Sequence, residues 1–66
     1  MGHSAEYQTE LYIKQLEQVA QTLFDQGMGF KNGGHDELAR SAFEQSAQLN
    51  RVIVDLRKIM EKRAWL

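Results

Sequence analysis

Apolar residues recur at helical spacing in two long segments of the chain, and a glycine-rich stretch separates these segments. In the first, residues 5–26, four apolar positions follow a 4-3-4 spacing: Tyr12, Leu16, Val19 and Leu23. At roughly 100° per residue these positions share one face of a helix, whereas a strand would alternate every second residue. Three further apolar residues flank this face, namely Ile13, Ala20 and Phe24. The segment is therefore predicted to be an amphipathic helix.

The second segment, residues 36–64, carries a longer and more regular pattern. Seven positions alternate three and four residues apart, as the a and d positions of a coiled coil do: Ala39, Ala42, Ser46, Leu49, Ile53, Leu56 and Met60. Leu38, Val52 and Ile59 widen this seam. Ser46 is its single polar member, which either fixes the register of packing or only bonds the carbonyl group four residues before it.

A bend between the two helices is predicted over residues 27–35, where four glycines occur. Gly27 is expected to end the first helix, since glycine tolerates the positive φ of a helix terminus. Ser4 and Asp36 are the predicted N-caps of the two helices. A phosphate-binding loop is not supported, because the lysine of this stretch is not followed by serine or threonine and no strand precedes it.

These elements predict an all-α fold, an antiparallel two-helix hairpin of residues 5–66. The expected helix–helix seam contains Tyr12, Leu16, Val19, Leu23, Ala42, Leu49, Ile53 and Leu56. A chain this small buries only roughly 60% of its unfolded surface, and the absence of cysteine excludes disulfide support. We therefore expect a homodimer or a protein partner to complete a four-helix bundle. Residues 1–4 are typical of an expression-tag remnant, and no function is placed on His3.

Charge is unevenly distributed along the chain. Residues 1–50 carry three basic and seven acidic side chains, a balance of −4, whereas residues 51–66 carry five basic and two acidic ones, a balance of +3. Cations near the end of a helix complement its dipole, and a basic end also suits an acidic partner. No apolar run is long enough to span a membrane and no apolar leader opens the chain, so a cytoplasmic location is expected.

The side chains do not form a pattern typical of an enzyme, a metal site or a nucleic-acid-binding protein. His35 beside Asp36 gives two neighbouring ligands where zinc requires three or four. Glu6, Glu10 and Glu17 are expected on the solvent side of the first helix. The basic residues are few and interleaved with acidic ones, unlike a phosphate-binding surface. We expect a non-catalytic interaction module, an adaptor, regulator or co-chaperone, without metal, cofactor, nucleic acid or membrane partner.

The end of the second helix is the predicted contact surface for a protein partner. A first helix over residues 5–26 pairs with residues 36–57, which leaves residues 58–66 projecting by roughly 12 Å. Apolar side chains rimmed by basic ones on this overhang resemble an interaction patch. Phe43, Ala47 and Val54 form a second, narrower apolar row, which lies on the same side of the helix as Trp65. The predicted partner-binding residues are Phe43, Val54, Lys58, Ile59, Met60, Lys62, Trp65 and Leu66.

Parts of the sequence resemble the sporulation-type aspartyl-phosphate phosphatases, short bacterial helical hairpins that act on phosphorylated response regulators. The similar stretches are IKQL at residues 13–16, GM at residues 27–28 and SAQLNRVI at residues 46–53. The signature of that family is Ser-Gln-Glu-Leu-Asp, and this chain has Ala47, Gln48 and Asn50 where it departs from the signature. The resemblance implies Ser46, Gln48 and Asn50 as catalytic candidates. Asn50 stands where the signature has an acidic residue, and an amide cannot act as a carboxylate base. The alternative function is therefore a phosphatase of this type, either active or degenerate.

A second resemblance is to the small E-type co-chaperones of type III secretion, which keep the needle subunit soluble together with another chaperone. It rests on QLE at residues 15–17, on the Gly33-Gly34 turn, and on the spacing onward to Leu49 and Ile53. This resemblance implies a needle-subunit helix as the partner.

Overall fold

The computed structural model of the chain consists of two helices, α1 (Gly2–Asn32) and α2 (Asp36–Ala64), packed against each other along their length. It describes the backbone of residues 2–64 and the side chains of residues 5–62. Residues 2–64 contain no strand, and the predicted all-α hairpin is confirmed. The hairpin measures 50 × 16 × 10 Å.

The first helix is longer than its sequence pattern predicts, at both ends. It begins at Gly2, so Ser4 lies inside the first turn rather than at the N-cap, and it continues through Gly27 and Gly29 to Asn32. Glycine lowers the stability of a helix interior by only about 1 kcal/mol relative to alanine, and packing against a second helix offsets that cost. The prediction that Gly27 ends the helix is therefore wrong.

The reversal of the chain takes only three residues, Gly33 to His35. The His35 N–H donates to the Phe30 carbonyl at 2.8 Å, and the Gly34 N–H donates to the Lys31 carbonyl at 3.1 Å. This pair of bonds is a Schellman motif, which satisfies carbonyl groups that the end of a helix leaves free. The motif requires a left-handed residue, and Gly34 supplies it with a φ of 81°.

The start of α2 also differs slightly from the prediction. The Ala39 N–H donates to the His35 carbonyl at 2.9 Å, which makes His35 the N-cap and Asp36 the first helical residue. Asp36 and Glu37 thus lie in the first turn, where negative charge is favourable to the helix dipole.

The a and d positions of α2 face α1. Ala39, Ala42, Ser46 and Ile53 are buried, while Leu49, Leu56 and Met60 pack against the core from its edge.

The register of α1 differs from the predicted one. Tyr12 and Val19 remain 53% and 50% exposed, so their predicted place in the seam is wrong. The α1 positions that face α2 are buried or half-buried and follow an unbroken 4-3 repeat: Thr9, Ile13, Leu16, Ala20, Leu23, Gly27 and Phe30. Threonine, alanine and glycine contribute little to a pattern of large apolar residues. The sequence pattern therefore predicts the seam at neighbouring positions with larger side chains.

Small side chains bring the two helices close together towards the turn. The Ser46 hydroxyl donates to the Ala20 carbonyl of the opposite helix at 2.9 Å, instead of bonding the carbonyl four residues before it. The ring of Phe43 lies against the backbone of Gly27 and packs on Phe24, with ring centroids 5.2 Å apart. Towards the open end, larger side chains such as Ile13 fill the seam.

The longer α1 also changes the picture of the overhang predicted for residues 58–66. Arg57 approaches Glu10 and Glu17 of α1, and Met60 packs against the core cluster, so α1 accompanies α2 beyond residue 57. Trp65 and Leu66, which the predicted overhang includes, lie outside the described residues.

Candidate interaction face

Contacts between the helices define the two broad sides of the hairpin. On one side the Arg57 guanidinium lies 3.2 Å from the Glu17 carboxylate and 3.9 Å from that of Glu10, and Phe24 packs on Phe43. We call this side the charged face. Glu10 and Glu17 therefore flank the seam and meet Arg57, where the sequence pattern predicts simple solvent exposure. With all three side chains about half exposed, these pairs contribute at most about 1 kcal/mol to stability.

The opposite side carries a different set of residues. Helical phase at about 100° per residue places five large apolar side chains there, two from α1 and three from α2. Their exposures lie between 46% and 54%, and none of them carries charge. We call this side the apolar face, defined by Tyr12, Val19, Leu38, Val52 and Ile59.

Both rows of the apolar face have a strict seven-residue period. In α1 the row continues from Tyr12 and Val19 to Gln26, and in α2 Gln45 lies between Leu38 and Val52. A seven-residue period keeps a row on one side of a slightly supercoiled helix, which is the pattern of a helix-packing surface. This second heptad pattern is the signal that could have identified the face from the sequence.

The surroundings of the two faces differ in polarity. A groove beside the α1 row is lined only by uncharged side chains: Gln15, Gln18, Val19, Thr22, Leu23 and Gln26. A groove on the charged face is lined by Glu10, Arg57, Met60 and Glu61. On the α1 side the apolar face is thus bordered by uncharged polar groups, as a protein–protein interface often is, whereas Asp55 and Lys62 flank its α2 row.

Within the described residues 5–62, the partner-binding residues predicted from the sequence do not form one patch. Phe43 is half-buried against Gly27 and Phe24, and Met60 packs on the core. Val54 falls on the side of the charged face, and Lys58 and Lys62 point outward by helical phase. Ile59 alone among the described predicted residues lies on the apolar face. The sequence pattern predicts its other four members in the seam or at its margin: Tyr12, Val19, Leu38 and Val52.

The three catalytic candidates implied by the phosphatase resemblance are only partly brought together. Ser46 and Asn50 line one groove of the charged face with Glu17. Ser46 is only 4% exposed, and its hydroxyl proton is engaged by the Ala20 carbonyl. Gln48 is exposed and lies roughly 200° around the helix from Ser46, outside that groove.

Two further properties of the described residues bear on other classes of function. These residues contain no group of three or more histidine, cysteine, aspartate or glutamate side chains that could hold a metal ion. Neither helix, over the part that the structure describes, is both long and apolar enough to cross a membrane.

Comparison of the chain with protein-family models, with curated proteins and with solved structures found no match. The geometry of the hairpin is therefore the basis for inferring a function.

Proposed function

We propose that this chain is a non-catalytic protein–protein interaction module that binds through its apolar face by helix–helix packing. The observation that carries the proposal is the pair of uncharged heptad rows whose large side chains are about half exposed. Isolated apolar residues are common on protein surfaces, but several large apolar residues on one side at helix-packing spacing mark interaction sites.

The energetic argument follows from the size of these side chains. Full burial of a valine, leucine or isoleucine contributes roughly 1.5–3 kcal/mol, so completing the burial of a half-exposed one contributes about 1 kcal/mol. The five residues of the apolar face together supply several kcal/mol of driving force for association. The charged face also carries half-exposed apolar side chains, Phe24 at 47% and Val54 at 49%, but burial of that face would also remove the Arg57–Glu17 ion pair from water, which opposes association.

Site-specific photo-crosslinking in cells that produce the chain tests the proposal. A benzophenone amino acid at Val52, on the apolar face, is expected to form adducts of defined mass with protein. The same amino acid at Ala47, an exposed position on the other side of α2, is the matched control and should form few. Equal labelling from both positions, or none from either, would contradict a binding role for the apolar face.

An aspartyl-phosphate phosphatase is a second candidate function. The observation in its favour is the groove that holds Ser46, Asn50 and the carboxylate of Glu17 together. Glu17 pairs with Arg57 and the Ser46 hydroxyl is engaged, so neither group is free to act on a substrate without rearrangement. A co-chaperone for a needle-subunit helix is a narrower form of the first proposal, in which that helix occupies the apolar face.

A further inference from the structure

We propose that the occupant of the apolar face is a second copy of this chain, packed face to face so that the two turns lie at the same end of a four-helix bundle. This inference rests on the proposed function and names its partner.

The exposed area of the hairpin is too large for a self-sufficient small domain. A compact protein of 7.6 kDa exposes about 4,300 Å², whereas this chain exposes 5519 Å². The excess is about 1,200 Å², and a standard interface buries about 800 Å² on each partner. One broad side of the hairpin measures 50 Å by 16 Å, which is about the 800 Å² that a standard interface takes from each partner. A second hairpin of the same dimensions therefore covers the apolar face completely.

The two rows of the apolar face are offset in a way that fits a second copy. The Ser46–Ala20 bond places those two residues at the same height along the hairpin. Counting from this level at 1.5 Å per residue, Tyr12 lies between the heights of Ile59 and Val52, and Val19 lies between those of Val52 and Gln45. When α1 of one copy faces α2 of the other, each side chain enters a gap in the opposing row. This is the knobs-into-holes packing of helix bundles.

The positions of the glutamines favour this orientation of the two copies. In α1 Gln26 follows Val19 in the direction of the turn, and in α2 Gln45 lies between Val52 and Leu38. With both turns at one end, Gln26 lies between the heights of Gln45 and Leu38 of the second copy, so its amide can approach that of Gln45. With the turns at opposite ends, each α2 faces the other α2, and alignment of the two rows places Gln45 against Val52, which leaves an amide buried without a partner. The arrangement with both turns at one end is therefore favoured.

Cysteine cross-linking of the purified chain tests the pairing, and the natural absence of cysteine makes each introduced thiol unique. The variants are Val19→Cys, Val52→Cys and, on the other side of α2, Ala47→Cys. Each is treated with a short bis-maleimide at micromolar concentration, alone and in mixtures in which one variant carries a mass tag. Circular dichroism verifies that every variant keeps the helical content of the natural chain.

The mixture of Val19→Cys with Val52→Cys is expected to give a cross-linked heterodimer at several times the yield of either variant alone. Ala47→Cys is expected to give only the background of random collision. Efficient cross-linking of Val19→Cys to itself would overturn the orientation, because it places α1 against α1.

Absence of cross-links above the Ala47→Cys background would overturn self-pairing. That result leaves the proposed binding function standing if Val52 still labels a different protein in cells, so the two failures are distinguishable.

Discussion

The close contact between Phe43 and Gly27 makes Gly27→Ala an informative substitution. A Cβ atom at residue 27 would lie 2.6, 2.8 and 3.0 Å from three carbon atoms of the Phe43 ring. Carbon atoms pack at about 3.5–4.0 Å, so the ring must retreat by about 1 Å. Gly27 is therefore expected to be required by the packing of the helices rather than by the turn.

Gly29→Ala is the matched control, because it lies on the same helix and its added methyl group would meet no neighbouring atom within 4 Å. Replacing a helical glycine by alanine without a clash stabilises a helix by about 0.5–1 kcal/mol, and Gly29→Ala should show this gain. Gly27→Ala has the same intrinsic gain but forces the Phe43 ring outward, at about 1–3 kcal/mol for overpacking. The two variants should therefore differ by about 1–3 kcal/mol in the free energy of unfolding.

Urea unfolding followed by circular dichroism, at one fixed protein concentration, measures this difference. A double-mutant cycle then isolates its cause, since coupling between contacting residues appears as non-additivity. In a Phe43→Ala background the clash is absent, and Gly27→Ala should become stabilising by about 0.5–1 kcal/mol. The reasoning is refuted if Gly27→Ala stabilises the natural chain as much as Gly29→Ala does.

Three further predictions concern the core, the turn and the candidate chemistry. Ile13→Ala, at the fully buried position of α1, should lower the free energy of unfolding by about 2–5 kcal/mol. Val19→Ala should lower it by less than about 1 kcal/mol in dilute solution, because Val19 is half exposed. Equal effects of the two substitutions in urea unfolding would contradict the register of α1. Gly34→Ala should cost about 1–2 kcal/mol by the same measurement, because the left-handed φ strains any residue with a Cβ, and a neutral effect would argue against the Schellman turn. The purified chain should not accelerate release of phosphate from a phosphorylated response regulator, measured by the loss of radiolabel. Turnover that disappears on Asn50→Ala would refute this prediction.

The fold was largely predictable because both helices carry apolar periodicity and the Gly33-Gly34 pair marks the reversal between them. The α2 seam could be assigned directly from its alternating spacing. The α1 seam could not, because Ala20 and Gly27 fit their positions through small size rather than hydrophobicity. Their role becomes evident only with the opposite helix in place, where Ser46 bonds the Ala20 carbonyl and Phe43 covers Gly27.

The candidate interaction face does not follow from the sequence pattern for a related reason. That pattern predicts Tyr12 and Val19 in the seam, which leaves no large apolar residue for the exposed row of α1. The predicted end of α1 at residue 26 also lies six residues before the observed end at Asn32, and this difference accounts for the predicted overhang in α2. Helix ends depend on capping bonds and tertiary packing, which local glycine content does not determine.

The two tyrosines of the chain allow the most direct test of the apolar face. Tyr12 lies on that face and Tyr7 points away from the hairpin, and the single chain exposes them similarly, at 53% and 63%. Hydroxyl-radical footprinting with mass spectrometry measures the oxidation of each ring over a series of protein concentrations. The account predicts that Tyr12 becomes protected as concentration rises while Tyr7 remains reactive. Equal reactivity of the two tyrosines at every concentration would contradict self-pairing through the apolar face.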